Sequence, residues 1–432
     1  MSRTRIVKGT YTKITGGDHS MYAKGNIVTT AGKSINEIGK EKGITYNMPK
    51  SPPKKQSATR VKEIELITPL DLGSKNDGKG KTQEGFIFGK TYKFKVKSFT
   101  NGNPVSNQLI RWMYKYHNLT TNKWVEVHSK IKGDQYSLYF NEKEMCGRFV
   151  FVRAYIDDED KEGELKRWHH NRFRWFDRSI VESEIKDRTD NKKPWLVNQS
   201  GTSLCGMACI FYLFAKEQPS EYKKFAKTLF RTGEATFNKY TVKPSEELLE
   251  KKINKNGYPL NTGDMPLVDF VTMAGTRNTD NPKYKGGSEE FQAINWPPIM
   301  TTLCEELLGY EFVSSKGVYN PLKSIAYTSL DIKNKIENIN KQIIEGYRLI
   351  LMIDSDLIDD VWDKSSLDLH WVVLESTISW NYEPGFFLSK KDEIDFKVYT
   401  WGINPNGNNR YLQSVITSAH FMNNYNGYIK VK

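Results

Sequence analysis

The chain has 432 residues, 38% hydrophobic and 27% charged, which suffices to bury sizeable cores and excludes a wholly disordered protein. No apolar run approaches the length that spans a bilayer, so no stable membrane insertion is expected; no apolar segment of signal-peptide type opens the chain either, so any export is expected to bypass the general secretion signal. The net charge of +13 is lopsided: residues 1–60 hold 12 Lys and Arg against 3 Asp and Glu, leaving +4 for the other 372, which suits a basic docking segment better than a nucleic-acid groove, and no nucleic-acid recognition motif accompanies it.

Residues 1–50 are rich in Gly, Thr and Lys, with short β-branched pieces separated by glycine turns, as in Ile14-Thr-Gly-Gly and Gly25-Asn-Ile-Val28. Such pieces predict small strands with too little apolar area to fold well alone, hence a β-rich docking segment that needs a partner. Residues 51–84 read as a linker, with Pro52 and Pro53 near one end and Gly73, Gly78 and Gly80 near the other; 61–67 is a candidate first strand of the next region.

Residues 85–177 are patterned as all-β. Tyr92, Phe94 and Val96 alternate with Lys93 and Lys95, one face buried and one wet. Further strands are predicted over 109–116, 123–127, 135–140 and 148–156, punctuated by Asn122, Gly133 and Asn141. Short strands at this spacing suggest an immunoglobulin-like β-sandwich with Trp112 as its core tryptophan. His169 and His170 close this region in a basic, aromatic stretch and are expected to pack rather than bind metal.

Residues 180–432 mix both patterns. A helix is predicted from Cys205 to about Lys216, and a second from Pro219, with Tyr222, Phe225, Ala226, Leu229 and Phe230 on one face and Gly233 as its stop. Ile332, Ile336, Ile339 and Ile343 stripe a third, which leads into an apolar strand at 348–354; strands come after it at 370–375, 396–401 and 428–431. Helices first and an antiparallel sheet last give the order of an α+β domain.

The chemistry-bearing residues fall in this last region. Gln199 stands six residues ahead of Cys205, which opens a helix; the helix dipole favours a thiolate, and the Gln199 amide with the Cys205 N–H can face a developing oxyanion. Gly206 would let a substrate approach the backbone, and His370, at the start of a strand, would serve as base. His420 is a rival base, while Asn404, Glu375 and Asp368 are candidates to orient the imidazole, Asn404 first among them. Asp269 and Arg277 lie in an apolar stretch that reads as a structural helix, with substrate contact as the alternative, and Asp354, Asp356, Asp359 and Asp360 as a solvated loop or a cation site. Cys146, Cys209 and Cys304 read as core; no disulfide framework is indicated, and the Cys205–Cys209 spacing lacks a second pair, so no zinc is expected. Thiol chemistry of this kind needs neither a metal nor an organic cofactor.

The order Gln199, Cys205-Gly206, His370, Trp401-Gly402 and Gly427-Tyr-Ile429 resembles the papain-like cysteine peptidases. The resemblance implies a papain-like domain over 180–432, a shielding role for Trp401 over the imidazole at the substrate cleft, and Tyr399 where that family carries its asparagine. The pieces Lys8-Gly-Thr-Tyr-Thr-Lys-Ile-Thr15, Tyr22-Ala-Lys-Gly-Asn-Ile27 and Glu41-Lys-Gly-Ile-Thr45 resemble the leader of type VI secretion effectors of the Bacteroidetes type. Arg174-Trp-Phe-Asp177 is similar to the middle module of such proteins, and Leu204-Cys-Gly-Met-Ala208 with Arg231-Thr-Gly233 to their papain-like toxin domains. The resemblance implies an antibacterial toxin, cytoplasmic in the producer and then injected into rivals, with the N-terminal segment docking on the secretion spike or tube. A cognate immunity protein would protect the producer. The implied reaction is cleavage of an amide bond in protein or peptidoglycan through a Cys205 thioester. Acyl transfer or deamidation by the same Cys–His pair is the alternative, and a non-catalytic papain-fold binding module is another.

Overall fold

Tyr92, Phe94 and Val96 are buried while Lys93 and Lys97 face solvent, so the alternation written in the sequence is the alternation of a half-buried strand. The computed structural model describes residues 58–288, 290–316, 318, 329–358, 368–383, 391–407 and 416–432. The predicted docking segment at 1–50 lies outside the described residues, as do Asp359 and Asp360.

The first part is built from β1 (Val61–Leu66), β2 (Asp71–Ser74), β3 (Thr82–Gly85), β4 (Thr91–Phe99), β5 (Arg111–Asn118), β6 (Lys123–Lys132), β7 (Gln135–Tyr139), β8 (Arg148–Tyr155) and β9 (Glu164–His169). One antiparallel sheet has the order β1-β4-β7 and the other β6-β5-β8-β9. Residues from both sheets, Phe94 and Leu138 from one and Trp112, Val150 and Leu165 from the other, meet in one core. Trp112 is fully buried, stacks on Tyr136 at 5.4 Å and donates its indole N–H to the Gly133 carbonyl at 2.8 Å, which satisfies its single polar atom. Residues 61–84, within the stretch read as a linker, are not one. Val61 and Ile64 are buried and β1 pairs with β4, while β2 and β3 form a hairpin across the glycine-rich run. The strand expected at 61–67 is β1, but polar and glycine-rich composition marks a turn and not its length, and it hid the short strands β2 and β3.

The remainder is mixed α and β. Helix α1 (Arg178–Arg188) begins at the N-cap Asp177, whose side chain accepts from the Ser179 N–H. Helix α2 (Cys205–Glu217) is buried over nearly its whole length, and α3 (Pro219–Thr232) starts on proline and ends at Gly233, whose φ of 69° suits glycine. After a small hairpin, β10 (Ala235–Phe237) with β11 (Tyr240–Val242), come β12 (Val313–Ser314), β13 (Arg348–Asp354), β14 (Leu369–Leu374), β15 (Ser379–Glu383), β16 (Lys391–Asp395), β17 (Val398–Tyr399) and β18 (Tyr425–Val431). Five of them form an antiparallel sheet in the order β12-β18-β13-β14-β17, and β15 pairs with β16.

That sheet is covered on both faces, which is why β13 is apolar at every position after Arg348 up to Ile353. Ile350, Met352, Trp371, Val373 and Tyr399 face the core that holds α2. Leu349, Leu351, Ile353, Val372, Leu374 and Val398 face a second core, filled by Ile332, Ile336 and Ile339 of the helix Ser329–Ile344. Among the described residues no helix is long and apolar enough to cross a membrane.

Candidate active site

The loop that delivers Cys205 is pinned from three directions. Arg188 and Asp269, both buried, form a two-pronged ion pair (Nε–Oδ1 3.1 Å, Nη2–Oδ2 2.6 Å). Arg188 Nη2 also donates to the Leu196 carbonyl at 2.8 Å, and Asp269 Oδ2 accepts the Asn198 N–H at 2.9 Å. Tyr399 stacks flat on Tyr212 of α2 at 3.8 Å and donates its hydroxyl to the Val197 carbonyl at 2.6 Å. Asp269 is therefore a loop anchor, and Arg277 pairs with Asp280, three residues along its own helix.

Gln199 sits at the head of this loop and is buried. Its side-chain N–H donates to the Thr202 carbonyl at 2.8 Å, while the Thr202 hydroxyl donates to the Gln199 carbonyl at 2.7 Å. One amide hydrogen of Gln199 thus closes its own loop, which leaves the other as the sole oxyanion donor its side chain can offer. Helix α2 has Leu204 at its N-cap and no capping side chain, so its first N–H groups are unclaimed by a cap.

Cys205 is 7% exposed. Burial pushes the thiol up to about 11, with Asp368 adding to it, although the nearby backbone amides of Trp371, Gly206 and Cys205 itself favour the thiolate. Cys209, Cys146 and Cys304 are buried thiols held higher by desolvation. Gly206 serves the chain's own packing: a Cβ there would come within 2.7 Å of the Asn295 Cβ and the Met300 sulfur. The space expected for substrate beside it is filled by protein.

His370 lies one residue before Trp371, whose amide meets the Cys205 sulfur. Strand alternation sends its side chain with Val372 and Leu374, away from the face that packs on α2. Its Nε2 is 2.7 Å from the Thr400 hydroxyl and its ring stacks on Trp401 at 4.4 Å, inclined by 21°. Burial alone drives the imidazole down to about 3, so it is neutral. Among the described residues no hydrogen bond joins the Cys205 thiol to this ring.

The side chain that meets His370 is Thr400, which sequence reasoning missed. Trp401 and Gly402 both have positive φ, 45° and 74°, and the Ile403 N–H donates back to the Thr400 carbonyl at 3.0 Å, closing a tight turn that ends β17 earlier than the predicted strand. A tryptophan in that conformation costs about 1–3 kcal/mol and is held there by its stack on His370.

The named alternatives lie elsewhere. Asn404 spends its side-chain oxygen on the Asn406 N–H at 3.0 Å, inside its own turn. Glu375 pairs with Lys216 at the far end of β14. Asp368, exposed, accepts from the Ser355 hydroxyl at 3.0 Å and is near enough to Cys205 to raise its thiol. His420 Nε2 sits 2.8 Å from the Asp356 carbonyl, and Asp354 and Asp356 are buried rather than solvated. Among the described residues no cluster of His, Cys, Asp and Glu has the makings of a metal site.

One further residue belongs to this place. Asn295 is buried against Gly206, and its carbonyl accepts the Trp371 indole N–H at 2.9 Å, yet both polar atoms of its side chain are buried without a hydrogen-bond partner. An orphaned amide beside a thiol is an open donor and acceptor. An isolated asparagine between Ile294 and Trp296 carried no signal that would have found it. The chain matches no protein-family model, no curated protein and no solved structure.

Proposed function

We propose that this chain is an antibacterial type VI secretion effector whose C-terminal region is a papain-like cysteine hydrolase that cleaves an amide bond, preceded by an immunoglobulin-like sandwich. The observation that carries the enzymatic part is the surroundings of one sulfur. Cys205 opens an uncapped helix, nearby backbone amides favour its thiolate, and one of those amides belongs to the residue after His370. The three-plus-four split of the sandwich, with its single core tryptophan, supports the middle module. Delivery, the spike or tube contact and the immunity protein rest on the leader resemblance.

In this reading the resting pair is neutral, with the proton on sulfur. For catalysis the imidazole must leave the face it shares with Val372 and reach the thiol when substrate binds; there His370 takes the proton from Sγ as the sulfur attacks the carbonyl carbon. The oxyanion is met by the Cys205 N–H and the second amide hydrogen of Gln199. His370 then returns its proton to the departing amine, and water releases the acyl group from the thioester. Acyl transfer differs only in the nucleophile of that last step. Thr400 and Trp401 hold the imidazole, Thr400 doing what the asparagine does in the papain-like family.

A second reading, a binding module on an inactive papain-like scaffold, is favoured by the buried thiol and by Tyr399, which bonds the Val197 carbonyl and leaves the imidazole alone. Expression in a sensitive bacterium, with and without a periplasmic signal, separates the two. The hydrolase reading requires that Cys205→Ala abolish growth inhibition in whichever compartment the wild type is toxic. If the variant kills as well as the wild type, the binding module stands.

A further inference from the structure

Where the sandwich meets α1 and α3, the protein holds a cavity of about 640 Å³ with three arginines in its wall. Arg148 comes from the start of β8, Arg178 from the start of α1 and Arg231 from the last turn of α3. Each carries buried N–H groups with no hydrogen-bond partner: Nε and Nη2 of Arg148, Nε of Arg178 and Nη1 of Arg231. Arg231 has one ion pair, Nη2 to Glu144 at 3.0 Å, and Arg178 lies 4.0 Å from Glu182. Among the described residues Arg148 has no carboxylate within ion-pair distance. It shares the cavity wall with the other two guanidinium groups, and burial with their repulsion, opposed by the Glu144 carboxylate, weakens its hold on its proton, to about 10.

Three like charges converging on a common space, with four N–H-bearing nitrogens unsatisfied, is an arrangement folding alone opposes: buried charge is costly unless paired. Guanidinium groups kept in such a state suit an oxyanion, which their planar forks bind two hydrogen bonds at a time. Lys224 and Lys227 line the same cavity and offset Glu182 and Glu221, so the wall as a whole is cationic. The uncharged lining is mixed, with Asn171 and three threonines beside an apolar share that includes Val181, Phe225 and Phe230. A bare ion would leave that surface wet; a head group on an apolar body would cover it.

We propose that this cavity binds a small amphipathic oxyanion, a phosphate or carboxylate group on a short apolar chain or ring, with Arg148, Arg178 and Arg231 receiving the oxyanion and the walls of α1 and α3 covering the apolar part. The site stands apart from the thiol chemistry and does not depend on it.

Calorimetric titration of the full chain with octyl phosphate, octanoate and neutral octanol tests this. One equivalent of octyl phosphate or octanoate binds below about 1 mM, and the tighter of the two identifies the head group. Octanol binds at least tenfold more weakly, on the order of one charge-assisted contact. Arg148→Met weakens the anion about tenfold or more while leaving the ligand-free chain at least as heat-stable as wild type, because an unpaired cation has been removed. Should that variant fail to fold, Arg178→Met, at a side chain 43% exposed, carries the same comparison. Binding of octanol as tight as the two anions, no saturable binding of either anion, or unchanged affinity in the arginine variant overturns the site.

Discussion

Nε2 of His370 lies 2.7 Å from the hydroxyl of Thr400, thirty positions later in the chain. That bond, with Trp401 stacked on the ring, fixes one nitrogen of a buried neutral imidazole and leaves Nδ1 as the nitrogen open to exchange a proton. Thr400→Val leaves Nε2 without its partner, at a cost of about 1–3 kcal/mol. We expect growth inhibition to fall in Thr400→Val and to return in Thr400→Ser, which keeps the hydroxyl. Toxicity undiminished in Thr400→Val would remove Thr400 from the site.

The thiols are expected to be quiet at neutral pH. Cys205, at about 11, is the least shifted of the four and the least buried, so it is the first to be alkylated by iodoacetamide as pH rises toward that value. Mass spectrometry of the labelled chain reads the order. Rapid single-site labelling of Cys205 at pH 7 would show that the sulfur is ionised in solution and that its surroundings open.

Asp269 and Arg188 hold the nucleophile's loop by its backbone. Asp269→Asn leaves a fully buried guanidinium without its counter-charge, and a loss of about 3–5 kcal/mol in stability is expected. The double variant Arg188→Met with Asp269→Leu recovers most of it, because two apolar side chains replace two charges. Urea midpoints of the three chains measure this; a double variant no more stable than the single one contradicts it.

Glu184 accepts the Leu267 and Val268 N–H groups in a buried setting, and burial raises its carboxyl to about 7 despite the nearby Arg188. The folded chain therefore holds this proton more tightly than the unfolded one. Its contribution is full below about pH 4.5 and is lost as pH rises through 7, by roughly 3 kcal/mol. His370, His169 and His170 act in the opposite sense: burial depresses them to about 3, 3 and 4, so stability present above about pH 6.5 is lost as pH falls. Glu184→Gln isolates the carboxylate. The stability difference between wild type and variant should shift in the variant's favour from pH 4.5 to 7, and a difference constant across that window would refute the assignment.

Much of the fold could be read ahead of the coordinates. The five-residue stripe of α3, its proline start and glycine stop, the isoleucine ladder of Ser329–Ile344 and the unbroken apolar run of β13 are patterns within one element, set by a period of 3.6 or 2. The linker reading foresaw β1 at 61–67 but missed β2 and β3, which have four residues each and lie among turn formers. Strand β9 was hidden for a related reason, since its Trp168 and His169 looked like a basic exit rather than the edge of a sheet.

By itself the sequence determined which cysteine opens a helix, which histidine begins a strand, and that a helical part precedes an antiparallel sheet, because helix periodicity, caps and strand alternation act between near neighbours. Only the tertiary structure decided that Thr400 rather than Asn404 meets His370, that Asn295 lies bare beside Gly206, and that three arginines from separate elements share one cavity. Those relations come from the register of β14 against β17 and from the packing of helices on strands. Side chains far apart in the chain are brought together by the sum of many weak contacts, and no local pattern records that sum.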